Sequence, residues 1–138
     1  MLLSYFKTLP ADKKMDAEDF KLQLNEAQKL MSAESYKQAL DLLNKLKAIE
    51  KENNFDYNIT HRLYQLLSNC QSLYNQHVIL KFIKKLKSQK KASITLQELK
   101  QILKDEIAIE ESIIGREVEL LILRGILPCK LERNKIIF

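Results

Sequence analysis

The residues of this chain that could do chemistry are two histidines, two cysteines, a crowd of lysines and a scatter of carboxylates. His61 and His77 have no cysteine or carboxylate at a metal-ligand spacing, and Cys70 and Cys129 sit far apart. No glycine-rich phosphate loop and no strained nucleophile turn occurs. The carboxylates are spread along faces expected to be solvated. His61 reads as a helix-surface or cap-proximal residue. Cys70, on an apolar helix face, and Cys129, in a strand, read as small core residues. Tyr36, Tyr57, Tyr64 and Tyr74 read as packing and rim residues rather than a base-stacking platform. We therefore expect no enzyme activity, no metal, no cofactor and no small-molecule substrate. The lysines are the exception that keeps a binding role open. Lys81, Lys84, Lys85, Lys87, Lys90 and Lys91 crowd one side and the end of a predicted helix. Part of that crowding favours the helix dipole. The same cations could contact a nucleic-acid backbone.

The elements that position these residues are overwhelmingly helical. Only two Gly and two Pro occur in 138 residues, so turns are few and secondary structure is continuous. Leu, Lys, Glu, Gln and Ala dominate, and these are good helix formers. Hydrophobic residues make up 46% of the chain, enough for one compact domain or two small modules sharing a core. The net charge of +5 is compatible with nucleic acid or an acidic protein partner and demands neither. Two cysteines without a framework suggest a reducing, intracellular setting. Met1 to Phe6 is too short for a secretory signal, and no apolar run reaches membrane-span length. The expected location is cytoplasmic or nuclear.

Along the chain, residues 1–14 read as an N-terminal loop segment broken by Pro10. Asp16 caps a helix to about Met31, with Phe20, Leu24, Ala27, Leu30 and Met31 at helical spacing. Ser35 and Gln38 have the form of a capping box. The helix after it carries Tyr36, Ala39, Leu40, Leu42, Leu43, Leu46 and Ile49 on its inner face. Asn58 caps a third helix with Ile59, Leu63, Leu66, Leu67 and Cys70 inward. A break near Asn75 separates it from a fourth, with Val78, Ile79, Phe82, Ile83 and Leu86 together.

The pattern then changes. Thr95 and Glu98 form a second capping box, opening a helix with Leu96, Leu99, Ile102 and Leu103 on one face. Residues from about Ala108 to Arg124 read helical, with Ile109, Ile113, Val118, Leu121 and Ile122 inward and a kink or boundary at Gly115. Gly125 suits the left-handed position after a helix. Leu127, Cys129 and Leu131 then alternate with polar residues, and Ile136 and Ile137 are β-branched. A period of two predicts a hairpin around Glu132-Arg133-Asn134, with Asn134 taking positive φ. The expected fold is mainly α. A helical-repeat bundle of about four helices (15–91) precedes a winged-helix module with a small β-hairpin (92–138).

Two segments carry a resemblance. Glu26-Ala27-Gln28-Lys29-Leu30 through Tyr36-Lys37-Gln38-Ala39-Leu40-Asp41-Leu42-Leu43 resembles a tetratricopeptide-like helix pair. Ile94-Thr95-Leu96-Gln97-Glu98-Leu99, followed by Val118 through Phe138, resembles the winged helix of PCI-domain proteins, and Ile126, Lys130, Leu131 and Ile136-Ile137-Phe138 fit its closing strands. The likeness is greatest to non-catalytic subunits of the proteasome lid. It implies a scaffold that binds other subunits of a large complex, winged helix beside winged helix. The residues then expected at the partner contact are Leu127, Cys129, Leu131, Ile136 and Phe138, on an exposed hairpin edge. A second likeness, of Ala39 to Leu46 to the N-terminal domain of the elongation factor TFIIS, implies binding of disordered peptides and leaves residues 93–138 unexplained. Nucleic-acid binding through a winged helix is the other alternative. Glu110, Glu111, Glu117 and Glu119 on its second helix, against Arg116 and Arg124, would repel phosphates.

Overall fold

The computed structural model describes residues 15–138. The expected loop at 1–14 and the reading of Met1 to Phe6 lie outside the described residues. These form five helices and three short strands: α1 (Ala17–Ser32), α2 (Tyr36–Lys51), α3 (Tyr57–Ser88), β1 (Ser93–Thr95), α4 (Leu96–Leu103), α5 (Glu111–Leu123), β2 (Lys130–Glu132) and β3 (Lys135–Ile137). The protein is mainly α, a helical bundle followed by a small antiparallel sheet.

Asp16 starts α1 as its spacing predicts. Its carboxylate accepts the Asp19 N–H at 2.8 Å, satisfying an orphan donor of the first turn. Phe20, Leu24 and Ala27 face inward and are fully buried. The helix ends with Glu34 at φ 60° and the Ser35 N–H donated to the Leu30 carbonyl at 2.8 Å, a Schellman turn. That turn overrides the predicted Ser35–Gln38 capping box. The Ser35 N–H that Gln38 would accept is already committed to Leu30, and the Ser35 side chain makes no capping bond. The apolar face of α2 folds back on α1 and buries Ala39, Leu43, Leu46 and Ile49 completely.

The third and fourth predicted helices are one. α3 runs 32 residues without interruption, its first hydrogen bonds accepted by the Asp56 carbonyl rather than capped by Asn58. Asn75 and Gln76 resemble a loop signal in sequence but are buried. Gln76 is held by other side chains, and no Gly or Pro interrupts the run.

The chain divides into two compact units inside this helix. One ends at Gln71 and the other runs Ser72–Phe138. The sequence places the division at 91/92. It falls earlier because Val78, Ile79, Ile83 and Leu86 share a core with Ile94, Leu99, Val118 and Ile136.

In the second unit the order is helix, β1, α4, α5, β2, β3, with sheet order β1-β3-β2 and antiparallel pairing throughout. This is winged-helix connectivity. Its first helix is the second half of α3. Its first strand, Ser93–Thr95, reads in sequence as the entry to a helix. Ile94 instead pairs with Ile136, and only Thr95 turns the chain into α4. The predicted Thr95–Glu98 capping box forms in full. α5 starts at Glu111, three residues later than expected, after a loop anchored by buried Ile107. No boundary occurs at Gly115, which lies inside α5. A Cβ there would stand 3.3 Å from Leu96 Cδ1, so the missing side chain serves a close approach rather than a kink. Inside α5 the fully buried isoleucine is Ile114, and Ile113 is half-buried.

Candidate interaction surface

The hairpin is the natural starting point, because its residues carry the expectation of a partner contact. β2 and β3 pair as Lys130↔Ile137, Leu131↔Ile136 and Glu132↔Lys135. The tight turn puts Arg133, not Asn134, at positive φ (55°). β3 is the central strand, bonded to β2 on one side and β1 on the other. The expectation of an exposed edge at Lys135–Ile137 is therefore corrected. Those backbone groups are spent on the two neighbours, and the open edges belong to β1 and β2. Ile136 is 0% exposed and Leu127 and Cys129 are buried with it. These three belong to the core. Leu131 and Phe138 are half-buried and pack against the same core. Leu127 and Cys129 also precede the strand rather than lie in it.

The apolar side chains left outside lie next door. Leu123 ends α5 at 76% exposure, and Ile126 follows at 51%. Between them Gly125 takes φ 73°, closing α5 with the Ile126 N–H on the Leu121 carbonyl at 3.0 Å. The turn aims Leu127 inward and leaves Leu123, Ile126 and Pro128 on the surface. The sequence signal was present: four apolar residues flank a C-cap glycine, too many for one side of a turn to bury.

All six expected lysines are exposed. Lys81 is paired with Glu106 at 2.8 Å. Lys85 and Lys87 occupy the last turn of α3, where the dipole favours cations. Lys90 sits at φ 60° in the turn that leads into β1. The fold then adds Lys135, which sequence reading left out. Thr95 holds the Glu98 carboxyl below its usual range by its N–H and hydroxyl, and both Lys91 and Lys135 pull it further down. Burial pushes the Cys129 thiol up, and Lys87 opposes that. Lys91, after α3, and Lys135, in β3, thus both act on Glu98 at the start of α4.

Glu117 departs most from the sequence reading. It belongs not to an acidic surface but to the interior, at 0% exposure. The Ser72 hydroxyl donates to its two oxygens at 3.0 and 2.7 Å, and Gln76 Nε2 donates at 3.2 Å. The Gln76 carbonyl oxygen accepts from Arg124 at 3.4 Å. Arg116 stands 3.7 Å from the same carboxylate but is largely exposed. The outer side of α5 keeps Glu111, Ser112, Arg116 and Glu119, which with Arg133 and Asn134 line a cleft of about 570 Å³. Its charge is mixed, unlike a phosphate-binding groove.

His61 stacks on Tyr57 with centroids 5.5 Å apart and planes at 15°. Cys70 is buried, its thiol 3.5 Å from the Tyr36 carbonyl and pushed up to about 11 by desolvation. Among the described residues no helix is long and apolar enough to cross a membrane. No protein-family model, no curated protein and no solved structure matches this chain.

Proposed function

We propose that this protein is a non-catalytic assembly subunit of a multi-protein complex, of proteasome-lid type, acting in the cytoplasm or nucleus through protein–protein contacts. The observation that carries this reading is the exposed pair Leu123 and Ile126 at the α5–β2 corner of a winged-helix unit. Apolar side chains left on a surface gain when a partner covers them. The likeness of Ile94–Leu99 and Val118–Phe138 to PCI winged helices supports the same reading. Against groove reading of nucleic acid stands the charge of α5, whose outer side presents Glu111 and Glu119 beside Arg116. The test is purification of the tagged full chain from native extract followed by mass spectrometry. Lid subunits should co-purify with the wild type and be lost with Leu123→Asp/Ile126→Asp, while circular dichroism stays unchanged. Recovery of nucleic acid and its binding proteins instead would sink the proposal.

A further inference from the structure

The first unit holds a polar cluster built on α1 and the start of α3. Asn25, Gln28, Lys29 and Ser32 recur at helical spacing, so they share one face of α1. They line an open cleft of about 430 Å³. From α3, Arg62 Nη2 donates to Asn25 Oδ1 at 2.7 Å and to Gln28 Oε1 at 2.9 Å. These bonds orient both amides. Each carbonyl is turned to Arg62, which leaves the NH2 groups, donors only, for the cleft. Lys29 adds an ammonium and Ser32 a hydroxyl. Among the described residues the lining contains no carboxylate. Arg62 in turn is held by neutral carbonyls, so its charge is not cancelled at these bonds. Lys29 also favours the dipole at the end of α1, which accounts for one cation but not for the oriented amides.

We propose that this cleft binds a phosphate monoester, whose terminal oxygens accept from Asn25 Nδ2, Gln28 Nε2, Lys29 Nζ and the Ser32 hydroxyl. A wall of donors selects an acceptor-rich anion. Charge and donor number then separate phosphate from carboxylate. A phosphate monoester carries about −1.5 to −2 at neutral pH on three terminal oxygens, which suits the two cations Lys29 and Arg62. A carboxylate offers less charge on two oxygens, and its best partner is the planar fork of an arginine. Nη2 takes part in either fork of Arg62, and it is already engaged with the two amides. Arg62 is therefore a positioning residue that aims the amides and supplies charge behind them. The cleft is larger than a phosphoryl group and falls within the range of about 300–1,000 Å³ usual for organic ligands, so the body of the ester has room. The site uses none of the residues of the assembly reading and is independent of it.

The test titrates the full chain, labelled with nitrogen-15, with glycerol 3-phosphate, O-phosphoserine, inorganic phosphate and the dicarboxylate glutarate. NMR follows the side-chain NH2 signals of Asn25 and Gln28. Both esters should move those signals, and glutarate should bind about tenfold more weakly or worse. Lys29→Gln should weaken ester binding by about tenfold or more, the loss expected for a bond to a charged group. Asn25→Asp keeps an acceptor for Arg62 but sets a carboxylate on the cleft wall in place of a donor, and it should abolish binding. Lys37→Gln, an exposed lysine of α2 outside the cleft lining, should change nothing. Circular dichroism checks that each variant folds, and Lys29→Gln decides if Asn25→Asp does not. Unmoved NH2 signals at millimolar ester, binding of inorganic phosphate but of neither ester, glutarate binding as tight as the esters, or equal losses in Lys29→Gln and Lys37→Gln would each overturn the proposal.

Discussion

Glu117 shows how one side chain can escape sequence reading. It follows Arg116 in a segment rich in Glu, so it reads as part of an acidic surface. In the fold it is the acceptor for Ser72 and Gln76 in the interior of the second unit. Truncation leaves those donors without their acceptor. We expect Glu117→Ala to lower stability by about 1.5–3 kcal/mol, the range for hydrogen bonds to a charged group. Arg116→Ala should change it little, because the Arg116 guanidinium is solvated and exposed pairs contribute about 0–1 kcal/mol. Urea denaturation of both variants checks the contrast, and equal midpoints would sink it. At Cys70, desolvation pushes the thiol up to about 11, so almost none is thiolate at neutral pH. Iodoacetamide should label it in the unfolded chain but hardly at all in the folded one. Rapid labelling of the native protein at pH 8 would contradict that burial.

At the scale of elements, three helices end in the same left-handed turn with different residues. Gly125 ends α5, while Glu34 and Lys90 take φ 60° after α1 and α3. Gly125 marks its turn in the sequence. The other two do not, because a side chain with a Cβ tolerates the left-handed region at a cost of about 1–2 kcal/mol when packing demands it. Glu34→Gly and Lys90→Gly should therefore be neutral or stabilising by up to about 1 kcal/mol, and Gly125→Ala destabilising. Thermal melts measure all three, and a large loss in either glycine variant would contradict the turn geometry. The α4 cap makes a pH prediction. The Thr95 N–H and hydroxyl hold the Glu98 carboxyl below its usual range. A depressed folded value means that the cap's stabilisation is present above the unfolded carboxyl value near 4.3 and is lost as pH falls through the folded one. The Glu98 side chain should titrate below pH 4.3 by NMR, and Thr95→Ala should move it up. A Glu98 titration unchanged by Thr95→Ala would refute the cap.

At the scale of the molecule, Leu43 and Leu121 sit in different cores, one in each compact unit. Each Leu→Ala should cost about 2–5 kcal/mol, as buried large-to-small changes do. Lys45→Ala, on the exposed side of α2, should stay within about 0.5 kcal/mol. Hydrogen exchange separates the two leucines further. Leu43→Ala should speed exchange mainly in α1 and α2, and Leu121→Ala mainly in α5 and the sheet. Identical exchange maps would show that the two cores unfold as one.

The helices around Phe20 and Leu43, the helical character around Leu63 and Ile83, the Asp16 and Thr95 caps and the tight turn at 133–134 were legible in the sequence, because each rests on local spacing or a side chain bonding its own neighbourhood. The same holds for the order helix, helix, hairpin after Thr95, in which the change of period after Gly125 marks the hairpin. What the sequence could not decide is which groups meet at long range. Ser93–Thr95 is too short to show a strand until β3 pairs with it. Asn75 and Gln76 look like a break until the interior accepts them. Ile136 looks like an edge residue until strands close on both sides of it. Lys91 and Lys135 lie far apart along the chain, and only the pairing of β1 with β3 brings both near Glu98. Local hydrogen bonds and periodicity are written residue by residue, whereas a surface is defined by the residues that the core leaves outside.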